Sequence, residues 1–239
     1  MKKVLILCAA MLVVASQAFA VGCDLSANAC PGNAGAVADA GALDCAGGGV
    51  LVLDTTFMPN EALPDLAGID VVYDYSIAGD VYTNANFWDF AAFNAAAIGS
   101  SHIRPATGCT GYTATWSLSG SGSGALGVNF TSTHQRLVAL AFRPSGLAIT
   151  ANQKLWGMQI TVDGSTSTEF GGLASGCTTP VCFVLNSVIP RAVSGADGTE
   201  LTSGSVFGNQ VTVNGGTQAQ CLAVPTKKHT WGQLKSLYR

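Results

Sequence analysis

Charge is scarce in this chain, and basic charge is scarcer still. Only 10% of its 239 residues are Asp, Glu, Lys or Arg. Between residues 21 and 225 the basic residues are Arg104, Arg136, Arg143, Lys154 and Arg191, set against all fourteen acids for a net of −9. A body so poor in Lys and Arg cannot neutralise a run of phosphates, which argues against nucleic acid as a partner. Histidine is rarer again, with His102, His134 and His229 scattered along the chain. No Cys-x-x-Cys occurs, so the ligand spacing of a zinc site is missing and neither a metal nor a cofactor is expected. Gly-x-Ser-x-Gly, His-Glu-x-x-His, the phosphate-binding loop and the calcium loop are all absent. No catalytic residue is assigned, and the chain is not read as an enzyme. A Ser/His/Asp set around His102 or His134 is conceivable, but a lone His beside a strand is more often a surface or hydrogen-bonded residue. Asp70 and Asp74 share a strand face, yet four strand residues hold them roughly 13 Å apart, beyond the 5–10 Å or so that a glycosidase pair requires. Both are expected to face solvent.

After the first twenty residues there is no second apolar run of the length needed to cross a bilayer, so the mature chain is not expected to span a membrane. Those twenty residues have the three parts of a secretory signal. Lys2 and Lys3 are followed by an apolar stretch at 4–15 and the small-residue ending Ala18-Phe19-Ala20. Cleavage after Ala20 is the expected processing. Ala20-Val21-Gly22-Cys23 loosely imitates a lipoprotein box, but the usual Leu three positions before Cys23 is missing, so lipidation is the lesser reading. The mature chain is therefore expected outside the cytosol: secreted, at the cell surface or in the periplasm.

Seven cysteines remain beyond the signal: Cys23, Cys30, Cys45, Cys109, Cys177, Cys182 and Cys221. In an oxidising compartment they read as a disulfide framework. Seven is odd, so one is free, lipidated or paired between chains, and setting Cys23 aside leaves an even six. Six cysteines allow fifteen connectivities. Local spacing favours Cys177 with Cys182 around the turn 178–181, and Cys30 with Cys45 around a Gly/Ala-rich loop.

Hydrophobic residues make up 48% of the chain, and much of that content falls at period two. Ile69, Val71, Tyr73, Tyr75 and Ile77 alternate with Asp70, Val72, Asp74 and Ser76. The stretch 112–119 and the run from Trp156 to Val162 alternate in the same way. Residues 50–53, 137–142 and 181–189 are continuously apolar, as central strands covered on both faces would be. Residues 210–213 close the series before the turn Asn214-Gly215-Gly216. Turn-forming clusters lie at 119–124 and 194–198. Residues 87–98 are read as a short helix or a loop. The expected architecture is all-β, a disulfide-stabilised antiparallel sandwich of jelly-roll or immunoglobulin-like type. It divides into a signal at 1–20, a sandwich domain at 21–221 and a linker with basic tail at 222–239.

Residues 73–93 interleave aromatics with Asp and Asn. A sugar-binding surface uses that chemistry, packing an aromatic face on the pyranose and bonding its hydroxyls with carboxylates and amides. Tyr82, Trp88, Asp80, Asn84 and Asp89 are the candidate ligand-binding residues, and a glycan is a candidate ligand. Tyr73 and Tyr75 belong to the core by their alternation.

In the tail, Thr230 and Gln233 have capping-box spacing, and Trp231, Leu234 and Tyr238 fall on one helical face beside Lys235 and Arg239. Nine residues are too few for a stable isolated helix, so the stripe is expected to order only against an acceptor. The block Trp231-Gly232-x-Leu234-Lys235-x-Leu237-Tyr238-Arg239, together with Gly176-Cys177-Thr-Thr-Pro180-Val181-Cys182, resembles a group of exported bacterial β proteins whose activity is uncharacterised. The resemblance implies export and β architecture, and it carries no activity. Read as a whole, the sequence favours a structural or interaction protein of the cell envelope or exterior. Its tail would serve sorting or docking on an envelope or export-machinery partner. A carbohydrate- or ligand-binding module is the alternative, and a secreted hydrolase is the less favoured third.

Overall fold

The computed structural model describes residues 21–77, 86–129, 134–202 and 208–222. The signal segment, Asp80, Tyr82, Asn84 and all five tail residues named above (Trp231, Leu234, Lys235, Tyr238 and Arg239) lie outside these.

Among the described residues ten strands form in chain order: β1 (Gly22–Ala27), β2 (Val50–Met58), β3 (Leu63–Ile77), β4 (Ile98–Ser101), β5 (Thr113–Ala114), β6 (Gly122–Asn129), β7 (His134–Ile149), β8 (Leu155–Asp163), β9 (Val181–Ala192) and β10 (Gln210–Val213). A short helix α1 (Gln218–Leu222) follows. One sheet, here sheet A, runs β1-β2-β8-β4 with β5 joined to β8, and the other, sheet B, runs β10-β9-β3-β7-β6. Every pairing is antiparallel except the parallel β5–β8 contact. This is the disulfide-stabilised all-β sandwich that period-two patterning predicts.

Alternation decides which residues meet between the sheets. Leu25, Leu53, Phe57, Met158, Ile160 and Val162 point inward from sheet A, and Ile69, Val71, Tyr73, Leu137, Leu185 and Val188 from sheet B; all are buried. Each large side chain buried this way contributes roughly 1.5–3 kcal/mol. A polar tie crosses the interior, Thr55 Oγ1 to the Tyr73 hydroxyl at 2.5 Å. It satisfies a phenol that burial holds in its neutral form, with its pKa pushed up.

Three local expectations change, and residues 87–98, left open between helix and loop, are decided. The stretch 112–119 forms only the two-residue strand β5. Thr115 and Trp116 are buried consecutively, and their side chains donate to the carbonyls of Trp156 and Gly157, so side-chain bonds replace a ladder. The turn cluster 119–124 ends early, because β6 begins at Gly122. Residues 87–98 form a loop with a single 3-10 turn at Ala95–Ala97, in which Asn86, Asp89 and Asn94 side chains engage the backbone instead of a helix. The run 137–142 is covered on its inner face only, with Leu140 and Phe142 exposed on the other.

The six cysteines pair as Cys30–Cys109, Cys45–Cys177 and Cys182–Cys221. The two local bridges favoured by spacing do not form. Cys177 and Cys182 are separated because Val181 enters β9 directly, with Cys182 opposite Thr212 of β10 and Cys177 turned to Cys45. Each bridge has a definite place. Cys30–Cys109 lies beside Asp54 on the outer face of sheet A. Cys45–Cys177 closes one end of the sandwich, and Cys182–Cys221 fastens α1 to the outer face of sheet B. Disulfides of this kind point to an oxidising extracellular or periplasmic environment. No helix among the described residues is long and apolar enough to cross a membrane.

Peptide mapping of unreduced protein should yield three linked pairs, 30 with 109, 45 with 177 and 182 with 221. A Cys177–Cys182 peptide would contradict the fold. Replacing Cys45 and Cys177 together by Ala should lower unfolding stability by about 2–5 kcal/mol, since that bridge closes the longest loop.

Candidate functional site

Among the described aromatics of residues 73–93, all but the exposed Phe93 turn inward. Phe87, Trp88 and Phe90 are fully buried. Trp88 meets Phe87 and Phe90 edge-on at centroid distances of 5.0 and 5.9 Å and Phe183 at 6.0 Å, while Tyr75 lies 5.3 Å from both Phe90 and Phe183. This plug fills the interior beside β3 and β9. It is held there by hydrogen bonds to residues 175–176: Phe87 N donates to the Ser175 carbonyl at 2.6 Å, and Trp88 Nε1 to the Gly176 carbonyl at 3.1 Å. On the other side β6 runs so close that a Cβ on Gly127 would stand 2.4 Å from the Phe90 carbonyl carbon.

Asp89 is buried as well, and its carboxylate is engaged. It accepts from Ala92 N at 3.1 Å and from Gln135 Nε2 at 3.2 Å, and the Tyr75 hydroxyl donates to Gln135 Oε1. Trp88 and Asp89 are thus a core side chain and a loop-stabilising carboxylate. Neither presents a face to a sugar. Aromatic and Asx interleaving carries the same composition in both roles, and only burial separates them.

Asp70 and Asp74 are also not two free solvent-facing carboxylates. Asp74 is buried in a two-pronged pair with Arg136, Nε to Oδ1 at 2.7 Å and Nη2 to Oδ2 at 2.9 Å, and Asn186 Nδ2 donates to Oδ2 as well. Asp70 accepts from Arg191 Nη2 at 2.6 Å, and the same guanidinium reaches Asp197 at 2.5 Å. The pairing register places Arg136 directly across from Asp74, a relation no single-strand pattern contains. His102 follows β4 of sheet A and His134 opens β7 of sheet B, so the two stand on different sheets.

Three further groups have chemistry worth testing. Cys30, Cys109 and Asp54 bring ligand atoms within 4.8 Å of one another, but the two sulfurs are bonded and the set is not a metal centre. Burial raises the Asp54 pKa against the hydrogen bond from Gln159 Nε2 at 3.1 Å. A pocket of about 240 Å³ lies among Asn28, Leu43, Asp44, Val50 and Val213. It is smaller than most ligand sites, and its carboxylate already accepts from Gly47 N. Cys23, the unpaired cysteine among the described residues, is fully buried in β1, its thiol 3.4 Å from the Leu201 carbonyl. Burial, helped by the negative charge of Asp24, pushes its pKa up to about 12. A lipid on that sulfur has no room in the folded sandwich.

Two outcomes follow from these positions. Trp88→Ala should cost about 3–5 kcal/mol of stability by opening a cavity, read from denaturant unfolding; an unchanged midpoint would return Trp88 to the surface. Cys23 should resist alkylation in the native protein at pH 8 and react as a single thiol once the unreduced chain is denatured. The stabilisation from its burial is complete below the ordinary thiol value near 8.5. It is lost as pH rises from there towards 12, because the unfolded chain releases the proton first. Cys23→Ala should flatten that alkaline loss.

No family model matches this chain, and no curated protein does. Among solved structures, a cohesin module from a Clostridium perfringens ATCC13124 family 33 glycoside hydrolase is similar at a TM-score of 0.34 and 8% identity, covering 82% of this chain and 98% of that one.

Proposed function

We propose that this chain is an exported interaction protein of the cell envelope or exterior, a rigid β-sandwich that displays residues 222–239 as its docking element. The observation that supports this reading is the Cys182–Cys221 bridge. It fastens the chain one residue before that segment begins, so the segment springs from a fixed point on sheet B. The segment carries Lys227, Lys228, Lys235 and Arg239 without an acid and sets Trp231, Leu234 and Tyr238 at helical spacing, a pattern suited to an apolar groove with an acidic rim. Its partner would be a component of the envelope or of the export machinery. The signal segment and the disulfides both fit delivery beyond the inner membrane.

Consistent with a contact role, Asp70 and Asp74 are engaged in ion pairs, Asp89 in loop bonds and Trp88 in core packing. The test is a fusion of residues 222–239 to a neutral exported reporter. The reporter should move to the fraction in which the full chain resides, and Trp231→Ala with Leu234→Ala should abolish the shift. A reporter whose destination is unchanged removes the docking role.

A further inference from the structure

Sheet B has an outer face that is covered at one end and bare at the other. At the covered end Cys182, Val184 and Cys221 make a small apolar cluster under α1, apart from the main core. At the bare end β6 and β7 present Leu126, Leu140 and Phe142, which are 57%, 44% and 46% exposed. Half-buried Val72, Val128 and Val138 continue the strip on the same face. Between Leu126 and Phe142 the floor is Gly124, opposite Leu140, where an added Cβ would meet nothing within 4 Å. The Phe142 ring bounds this opening by lying over Gly122, 2.8 Å from where a Cβ would stand. A contiguous apolar strip with a glycine floor is a seat for a side-chain stripe.

We infer that in the free mature chain this seat is filled by the chain's own tail, with Trp231, Leu234 and Tyr238 lying on Leu126, Val138, Leu140 and Phe142. The tail leaves Cys221 on the same face of the same sheet. Cys182 is level with Ser76 and Leu140 with Asp70, six strand residues away, and β9 is two strands from β7. The path is therefore about 22 Å. Trp231 is ten chain steps beyond Cys221, a reach of about 33 Å when extended, so the seat is within range without strain. Charge favours the same docking, since a tail of four basic residues returns to a body of net −9. Tethering adds to it, because a segment fastened by a short linker meets its seat at millimolar effective concentration, where weak contacts suffice.

The inference deepens the docking reading and rests on it only in treating the Trp/Leu/Tyr stripe as a recognition surface. The two fail separately: the reporter fusion asks where the tail carries a protein, and the following experiment asks where the tail lies in purified full chain. Trp231→p-benzoylphenylalanine in the mature protein, irradiated at low micromolar concentration and digested, should link within one chain to peptides covering 122–129 and 137–142. Leu126→Lys and Leu140→Lys, each at an exposed site and each checked for an unchanged cooperative melt, should reduce that product at least fivefold. Leu126→Lys, on the edge strand, serves if Leu140→Lys does not fold. Links between two chains would mean that the seat takes a second copy. Links elsewhere on the body, or none, would mean that the tail does not return to sheet B; either result overturns the inference.

Discussion

The Cys45–Cys177 bridge joins two loops that no strand pairing holds together, and the closed end of the sandwich depends on it. Cys177 follows Ser175 and Gly176, whose carbonyls receive Phe87 N and Trp88 Nε1. Its own carbonyl and that of Thr179 accept from Asn214 Nδ2, at the turn after β10. On the other side Ser167 Oγ donates to the Cys45 carbonyl. One covalent link therefore sets the positions of the aromatic plug, the β10 turn and the segment after β8. Constraining the unfolded chain is one part of its effect. The other is geometric, since it fixes the segment whose carbonyls hold the plug, and so adds to the burial of Phe87, Trp88 and Phe90.

The other two bridges repeat this logic on the outer faces. Cys30–Cys109 holds loops over sheet A above Asp24, Ser26, Asp54 and Thr56, all of them buried. A sheet face so polar would ordinarily be left to water. Here it is roofed, and Asp54 bears the cost as a raised pKa. Scarcity of charge has its counterpart on sheet B, where Asp74 is buried against Arg136 and Asn186 in the middle of the outer face. Removing one partner of such a pair leaves an uncompensated buried charge, so the pair resists replacement one residue at a time.

Strand content was legible in the sequence wherever period two ran without interruption, as in β3 and β8, and where apolar runs were continuous, as in β2, β7 and β9. The disulfide set was legible in its members and not in its pairing. Spacing rewards short loops, whereas the three bridges span separations of 79, 132 and 39 residues and are decided by which loops the sandwich brings together. The stretch 112–119 alternated well and still gave only the two-residue β5, because Thr115 and Trp116 found partners on β8. Trp88 and Asp89 read as surface chemistry for a similar reason: a loop that plugs a core needs aromatics to fill it and Asx side chains to bond its backbone. Composition reports that need without saying which way the loop faces.

The run 137–142 shows the reverse case, in which sequence and fold disagree usefully. Continuous apolarity is the mark of a strand covered on both faces, yet the sandwich covers only one face of β7. Leu140 and Phe142 on a solvated sheet face would be poor choices beside Thr or Lys, and a chain this sparing of charge still places charged pairs elsewhere on that face. At one end α1 under its disulfide begins a third layer on that face, and the tail docking inferred above would extend it across the strip. Order in that layer would begin at Cys221, where the chain is already fixed. Each apolar residue laid on the strip would then add burial worth about 25 cal/mol per Å² without a fresh cost of association.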